Sequence, residues 1–159
     1  MTDYIEITAL YARRRRVLGP DARCRQCGET AIAALQRDAE GIICYECDRP
    51  RRGKRTTEDH HPLGKANDMD TTIGVPGNFH RQLSAMQADW PEVVRNNPTR
   101  DPLLWIAAVA LAVRDFANVL TVYAQQIADW LMQLHATLVA HHGATWVSAL
   151  ALPSLWGAM

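Results

Sequence analysis

The sequence predicts an α+β protein made of three consecutive segments, residues 1–56, 57–100 and 101–159. Three observations carry that reading. All four cysteines fall in the first segment, as two Cys-x-x-Cys pairs; the second is rich in His, Asn, Gly, Pro and Asp; the third is apolar and alanine-rich, with no Gly or Pro between Leu103 and His142. A small cysteine-stapled module, a mixed strand and helix segment, and a C-terminal α-helical hairpin follow in turn.

Of the 159 residues, 48% are apolar and 21% charged. That balance suits a globular chain with a buried core and excludes disordered and fibrous classes. The formal net charge is zero, but residues 1–55 hold 12 Lys or Arg against 8 Asp or Glu, while residues 56–159 hold 5 against 9. The basic end is the one suited to phosphates. The start, Met1 to Leu10, has no apolar run of signal-peptide length, so a cytoplasmic protein is expected. Near the other end, Pro102 to Val113 is uncharged over only about twelve residues, where a membrane-spanning helix needs about 20. The later runs are interrupted by polar residues, by His or by Pro153, so no membrane span is expected.

Taking the elements in order, Tyr4 to Val17 reads as a short helix that stops at Gly19-Pro20. Its last residues, Arg13 to Arg16, suit a helix C-terminus electrostatically or form a phosphate-contacting patch. Next come Cys24-Arg25-Gln26-Cys27 and, after sixteen residues, Cys44-Tyr45-Glu46-Cys47. Two residues between thiolates let each pair turn back onto one tetrahedral ion, and Gly28 suits the turn that follows. The spacing matches a zinc site of ribbon type. Disulfides are disfavoured without a secretion signal, a redox motif needs only one pair, and iron is the alternative metal. Few large apolar residues surround the cysteines (Ile32, Leu35, Ile42, Ile43), so zinc would supply folding stability. Four thiolates close the coordination shell and leave no position for a reactive water.

The second segment opens with Glu58-Asp59-His60-His61-Pro62-Leu63-Gly64-Lys65-Ala66-Asn67-Asp68. It continues as Thr71-Thr72-Ile73-Gly74-Val75-Pro76-Gly77-Asn78-Phe79-His80-Arg81. Read by itself this is a paired His, a turn, a short β-type run and a third His where a helix begins. Three His with flanking acids suit a second metal site, or else a solvated turn.

Over roughly residues 57–85 the arrangement resembles the HNH endonuclease family, whose ββα-metal fold carries a strand ending in paired His, a loop, a second strand and a helix bearing a last His. The resemblance implies a zinc ribbon joined to a ββα-metal core. It also implies roles: His61 as general base, and His60 with His80 holding a divalent ion such as Mg²⁺, Mn²⁺, Ni²⁺ or Zn²⁺. Ser84, one helical turn after His80, stands where some relatives place another ligand. At the family's base-orienting Asn position this chain has Thr71, and Asn67 or Asp70 are the loop residues that stand in for it. Where relatives carry Cys-x-x-Cys before the last His, this chain has Pro76 and Phe79. A metal and a histidine base suit phosphodiester hydrolysis, since the reaction needs a nucleophile made at neutral pH and a cation for the developing charge.

The basic stretch Arg49, Arg51, Arg52, Lys54 and Arg55 leads into that segment and, with Arg81, forms the expected contact to duplex DNA. Trp90 before Pro91 reads as a core residue. In the last segment Asp101 is the expected N-cap of a helix starting at Pro102 and ending near residue 121. A second helix carries a stripe through Ile127, Trp130, Leu131, Leu134, Leu138 and His141 that the hairpin would bury. The apolar end, Trp146 to Trp156, either folds back or forms an interface. Three functions fit: a metal-dependent endonuclease, a catalytically inactive zinc-ribbon nucleic-acid-binding or adaptor module, and self-association or protein docking through the C-terminal helices.

Overall fold

The computed structural model describes residues 16–146. The expected N-terminal helix and arginine cluster lie outside these residues except for Arg16 and Val17, as does the apolar end apart from Trp146. The described chain is α+β, with two two-stranded antiparallel sheets and four helices longer than a single turn. It divides into two compact units, Met1–Val119 and Leu120–Met159.

In the first unit a 3-10 turn, Ile32–Ala34, leads into a hairpin of β1 (Leu35–Asp38) and β2 (Gly41–Cys44), followed by α1 (Tyr45–Arg51). Their small core is Ala22, Cys24, Ile32, Leu35, Ile43 and Cys44. Two of those six side chains are thiols, which is why burial alone gives this module little stability. A second hairpin pairs β3 (Thr57–His60) with β4 (Ile73–Pro76), aligning Glu58 with Val75 and His60 with Ile73.

Helix α2 (Gly77–Ala88) begins where β4 ends and packs against the 3-10 turn, α1, β3 and β4. Gly77 suits the close approach there, since a Cβ would press on the Thr56 carbonyl oxygen at 3.2 Å and Arg49 Cδ at 3.3 Å. Buried Asn78 fastens α2 to the cysteine module. Its Oδ1 accepts from the Glu46 N–H (3.1 Å), its own N–H donates to Glu46 Oε1 (3.0 Å), and its Nδ2 donates to Glu29 Oε2 (3.1 Å).

After α3 (Glu92–Asn96) the helix α4 starts at Pro102, with Asp101 Oδ1 accepting the Leu103 N–H at 2.8 Å as the cap. Trp90 is buried with Val94, Ala108 and Ala112, and its Nε1 donates to Asp115 Oδ2 at 2.7 Å. The expected C-terminal hairpin does not form: α4 is one helix, Pro102–His142, of 41 residues. A hairpin needs a turn of a few residues, and nothing between Leu103 and His142 breaks a helix. Among the described residues no second helix follows to cover the expected buried stripe, and most of it is open. Ile127, Trp130, Leu131 and Leu134 are 59%, 58%, 50% and 37% exposed. By length and composition alone α4 is also apolar enough to cross a membrane, a test that core helices of soluble proteins pass as well.

Candidate metal centres

Cys24 and Cys27 sit on the loop before the 3-10 turn, Cys44 ends β2 and precedes α1, and Cys47 lies in the first turn of α1. Backbone bonds hold the first pair: Gly28 adopts φ +80° and its N–H donates to the Cys24 carbonyl (2.9 Å), while the Arg25 N–H donates to the Ile42 carbonyl (3.0 Å). The four sulfurs all lie within 4.8 Å of one another, and Cys27 Sγ is 3.6 Å from Cys44 Sγ. Sulfurs bound tetrahedrally about 2.3 Å from one ion stand about 3.8 Å apart, whereas a disulfide needs about 2 Å. All four are free thiols. The cluster therefore holds the donors and spacing to bind a metal ion such as zinc.

Burial pushes the Cys27 thiol up to about 11 and the Cys47 thiol higher still. Burial acts on Cys24 too, but the backbone N–H groups of Cys27, Cys44 and Gln26 outweigh it and bring that thiol down to about 6. Metal loading must displace protons from the raised thiols, so acid favours the empty cluster.

A second cluster forms where β3 meets α2. Glu58 and His60, two residues apart on a strand, share one face. The His60 and His80 rings stand edge to face, 5.3 Å between centroids, and His60 also meets the Phe116 ring at 6.1 Å. Glu58 is the hub. Arg49 Nη1 donates to its Oε1, Arg81 Nη2 reaches the same oxygen at 3.5 Å, and His80 Nδ1 lies 3.0 Å from Oε2. Arg81 also lies over the Tyr45 ring, 4.2 Å from its centroid. Glu58 Oε2, His61 Nδ1, His80 Nδ1 and Arg81 Nε are all buried without completing a hydrogen bond. Among the described residues, the cysteines remain the set of three or more candidate ligands that converges on one point.

Burial, aided by the neighbouring His80 and His61, lowers His60 to about 4. Burial also lowers His80, with Glu58 opposing it. Neutral imidazole is the form that ligates metals. For His60 the stability linkage is direct: a lowered folded value favours the neutral ring, so its stabilising effect is complete above pH 6.5 and is lost as pH falls toward 4. Urea unfolding at pH 7.0 and at pH 4.5 is expected to show wild type losing about 2–3 kcal/mol more than His60→Gln. Equal losses in both proteins would mean that His60 titrates as it does unfolded.

The remaining sequence candidates divide. The Asn67 amide is occupied: Nδ2 donates to the carbonyls of Leu63 (3.1 Å) and Val94 (2.9 Å), and Oδ1 accepts from Asn97 Nδ2 (3.0 Å). Those bonds tie the loop to α3. Asp70 and Thr71 are exposed, and their N–H groups donate to Asp68 Oδ1 at 3.0 Å each. Four of the six basic side chains are in ion pairs. Arg49 and Arg81 pair with Glu58, Arg51 with Asp38 (3.2 Å) and Glu40 (3.0 Å), and Arg52 with Asp48 (2.7 Å). Lys54 and Arg55 are exposed and carry no ion pair among the described residues. Glu58 stands in the sequence only as one of the acids flanking the histidines, and its place as the partner of Arg49, Arg81 and His80 appears in the structure. Its signal was the two-residue strand period that puts it beside His60. Comparison with protein-family models, with curated proteins and with solved structures finds no match for this chain.

Proposed function

We propose that the protein is a metal-dependent endonuclease of HNH type that hydrolyses phosphodiester bonds in duplex DNA, with a structural zinc on Cys24, Cys27, Cys44 and Cys47. The observation that carries this reading is the β3–β4–α2 arrangement with His60 against His80, Glu58 beside His80 and Arg81, and a buried, unpartnered Nδ1 on His61 next in sequence. His60 and His80 would hold a divalent ion, which supplies a Lewis acid for the phosphate and the leaving oxygen. His61 accepts the proton of the attacking water as the new P–O bond forms and the old one breaks. Its buried Nδ1 without a partner suits a base that is not already spent on the fold. Arg81, partly exposed beside Glu58, faces a phosphate, and Lys54 and Arg55 supply cations free of internal carboxylates.

A second reading, a binding module without catalysis, draws on Asn67. Its amide is fully engaged in loop bonds, which leaves the orienting role to Asp70 or to no residue. One experiment separates the two. Supercoiled plasmid is incubated with purified protein and Mg²⁺, Mn²⁺, Ni²⁺ or Zn²⁺, with EDTA and His61→Ala as controls. The expected result is metal-dependent nicking, slowed about 10²- to 10⁴-fold in His61→Ala. Plasmid left intact with every ion, by protein that still binds duplex DNA, overturns the nuclease in favour of the binding module.

A further inference from the structure

Beyond the cysteine cluster and the His60/His80 cluster, the feature that neither uses is the part of α4 in the second unit. From Leu120 one set of apolar residues recurs at alternating steps of four and three: Leu120, Ala124, Ile127, Leu131, Leu134 and Leu138, with His141 in the next place, while Val122, Trp130 and Met132 are exposed outside it. That is the heptad repeat of a helix whose seam faces another helix, with the first, third and fifth of these at one of the two core positions. Leu120, Ile127 and Leu131 are 59%, 59% and 50% exposed, so the seam is open over this stretch, while Leu138 is half-buried.

The polar residues support the same register. Gln125, Gln126, Asp129 and Gln133 all fall at the outer positions of the heptad, away from the seam. There Gln125 Nε2 donates to Asp129 Oδ1 at 2.8 Å. A helix lying alone in water gains nothing from this division, and one sunk in lipid meets Asp129 and three glutamines at a high desolvation cost.

We propose that the seam from Leu120 to His141 pairs with the same seam of a second copy of this chain, as a coiled-coil homodimer. Three heptads meet the lower length at which such a pattern specifies a coiled coil. In the sequence the same phase continues back through Ala117, Val113, Ala110, Ile106 and Leu103. A second copy is the occupant that necessarily matches this period, since it carries the identical seam. In the sequence Pro153 and Gly157 interrupt the residues that follow α4, whereas the seam of a second copy carries no such interruption.

Sedimentation equilibrium of the purified protein, without detergent, is the test. Wild type and the outer-face variant Met132→Lys are expected to sediment at twice the chain mass. The seam variant Leu131→Lys/Leu134→Lys is expected to dissociate on the order of 100-fold more readily. Metal content and helical circular dichroism report whether that variant is folded; if it is not, the wild-type mass decides alone. Wild type that stays at the chain mass at high concentration overturns the proposal. So does a seam variant that dimerises as wild type does, or a dimer lost on Leu155→Lys, which would credit residues 147–159. Wild type that is monomeric in buffer but floats with phosphatidylcholine vesicles overturns it in favour of a lipid surface.

Discussion

Cys44→Ser is expected to abolish metal binding at the four-cysteine cluster and to unfold the module of β1, β2 and α1. Cys44 is fully buried, ends β2, precedes α1 and belongs both to the ligand set and to the small core around it. Serine is close to cysteine in size, so lost packing explains little of the effect. The lost ligand explains most of it. In small metal-stapled modules the ion contributes about 10–16 kcal/mol, as much as the whole stability of a typical domain at about 5–15 kcal/mol. Among the described residues, the large buried apolar side chains of this core that would have to replace it are Ile32, Leu35 and Ile43. Asn78 then transmits the damage, because its bonds to Glu29 and Glu46 anchor α2 on the same module. Elemental analysis is expected to find about one zinc per chain in wild type and almost none in the variant. The thermal midpoint should fall by at least about 15 °C. A chelator should reproduce the fall in wild type and do nothing further to the variant. A metal-free variant melting like wild type would show that burial alone folds this module.

Glu58→Gln is expected to be the next most damaging change, through two effects that can be separated. The carboxylate faces Arg49, Arg81 and His80, with only 14% of its side chain exposed and 17% of that of Arg49. Removing one member of a largely buried ion pair leaves the other charge uncompensated, which costs about 3–5 kcal/mol. The same change removes the carboxylate beside His80 Nδ1. A carboxylate at that ring nitrogen fixes the orientation of the imidazole, and its loss typically lowers metal affinity about 10- to 100-fold. The double variant Glu58→Met/Arg49→Met tells the effects apart. An apolar pair in place of a buried ion pair is often neutral, so stability should return while the affinity of the proposed His60/His80 site for Ni²⁺ or Mn²⁺ stays low. If affinity returned with stability, Glu58 would serve the fold alone.

The parts legible in the sequence are those fixed by local chemistry. A Cys-x-x-Cys pair turns back on itself within four residues, so the four-cysteine cluster, with Gly28 in its turn, could be read from spacing. The start of α4 was equally local, because Asp101 and Pro102 form the cap from adjacent positions. Trp90 was legible as a core residue from its size and its place before Pro91, though its hydrogen bond to Asp115 was not.

Charge pairing and helix pairing were not legible, because both depend on what another part of the chain brings into reach. The run Arg49 to Arg55 reads as a basic surface, yet Asp38, Glu40, Asp48 and Glu58 lie close enough in space to neutralise three of its five cations. Asn67 has the residue type of a catalytic group, and only the approach of Val94 and Asn97 shows it holding a loop in place. The apolar stripe of α4 was visible as a stripe, and no feature of periodicity says whether its partner is a neighbouring helix of the same chain. By itself the sequence determined the cysteine cluster, the α+β class and the helical character of the third segment, since each rests on residues within a few positions of one another. Only the tertiary structure decided that Glu58 joins His80 to Arg49 and that Arg49, Arg51 and Arg52 are paired with carboxylates, because a charge acquires its partner through distance in space.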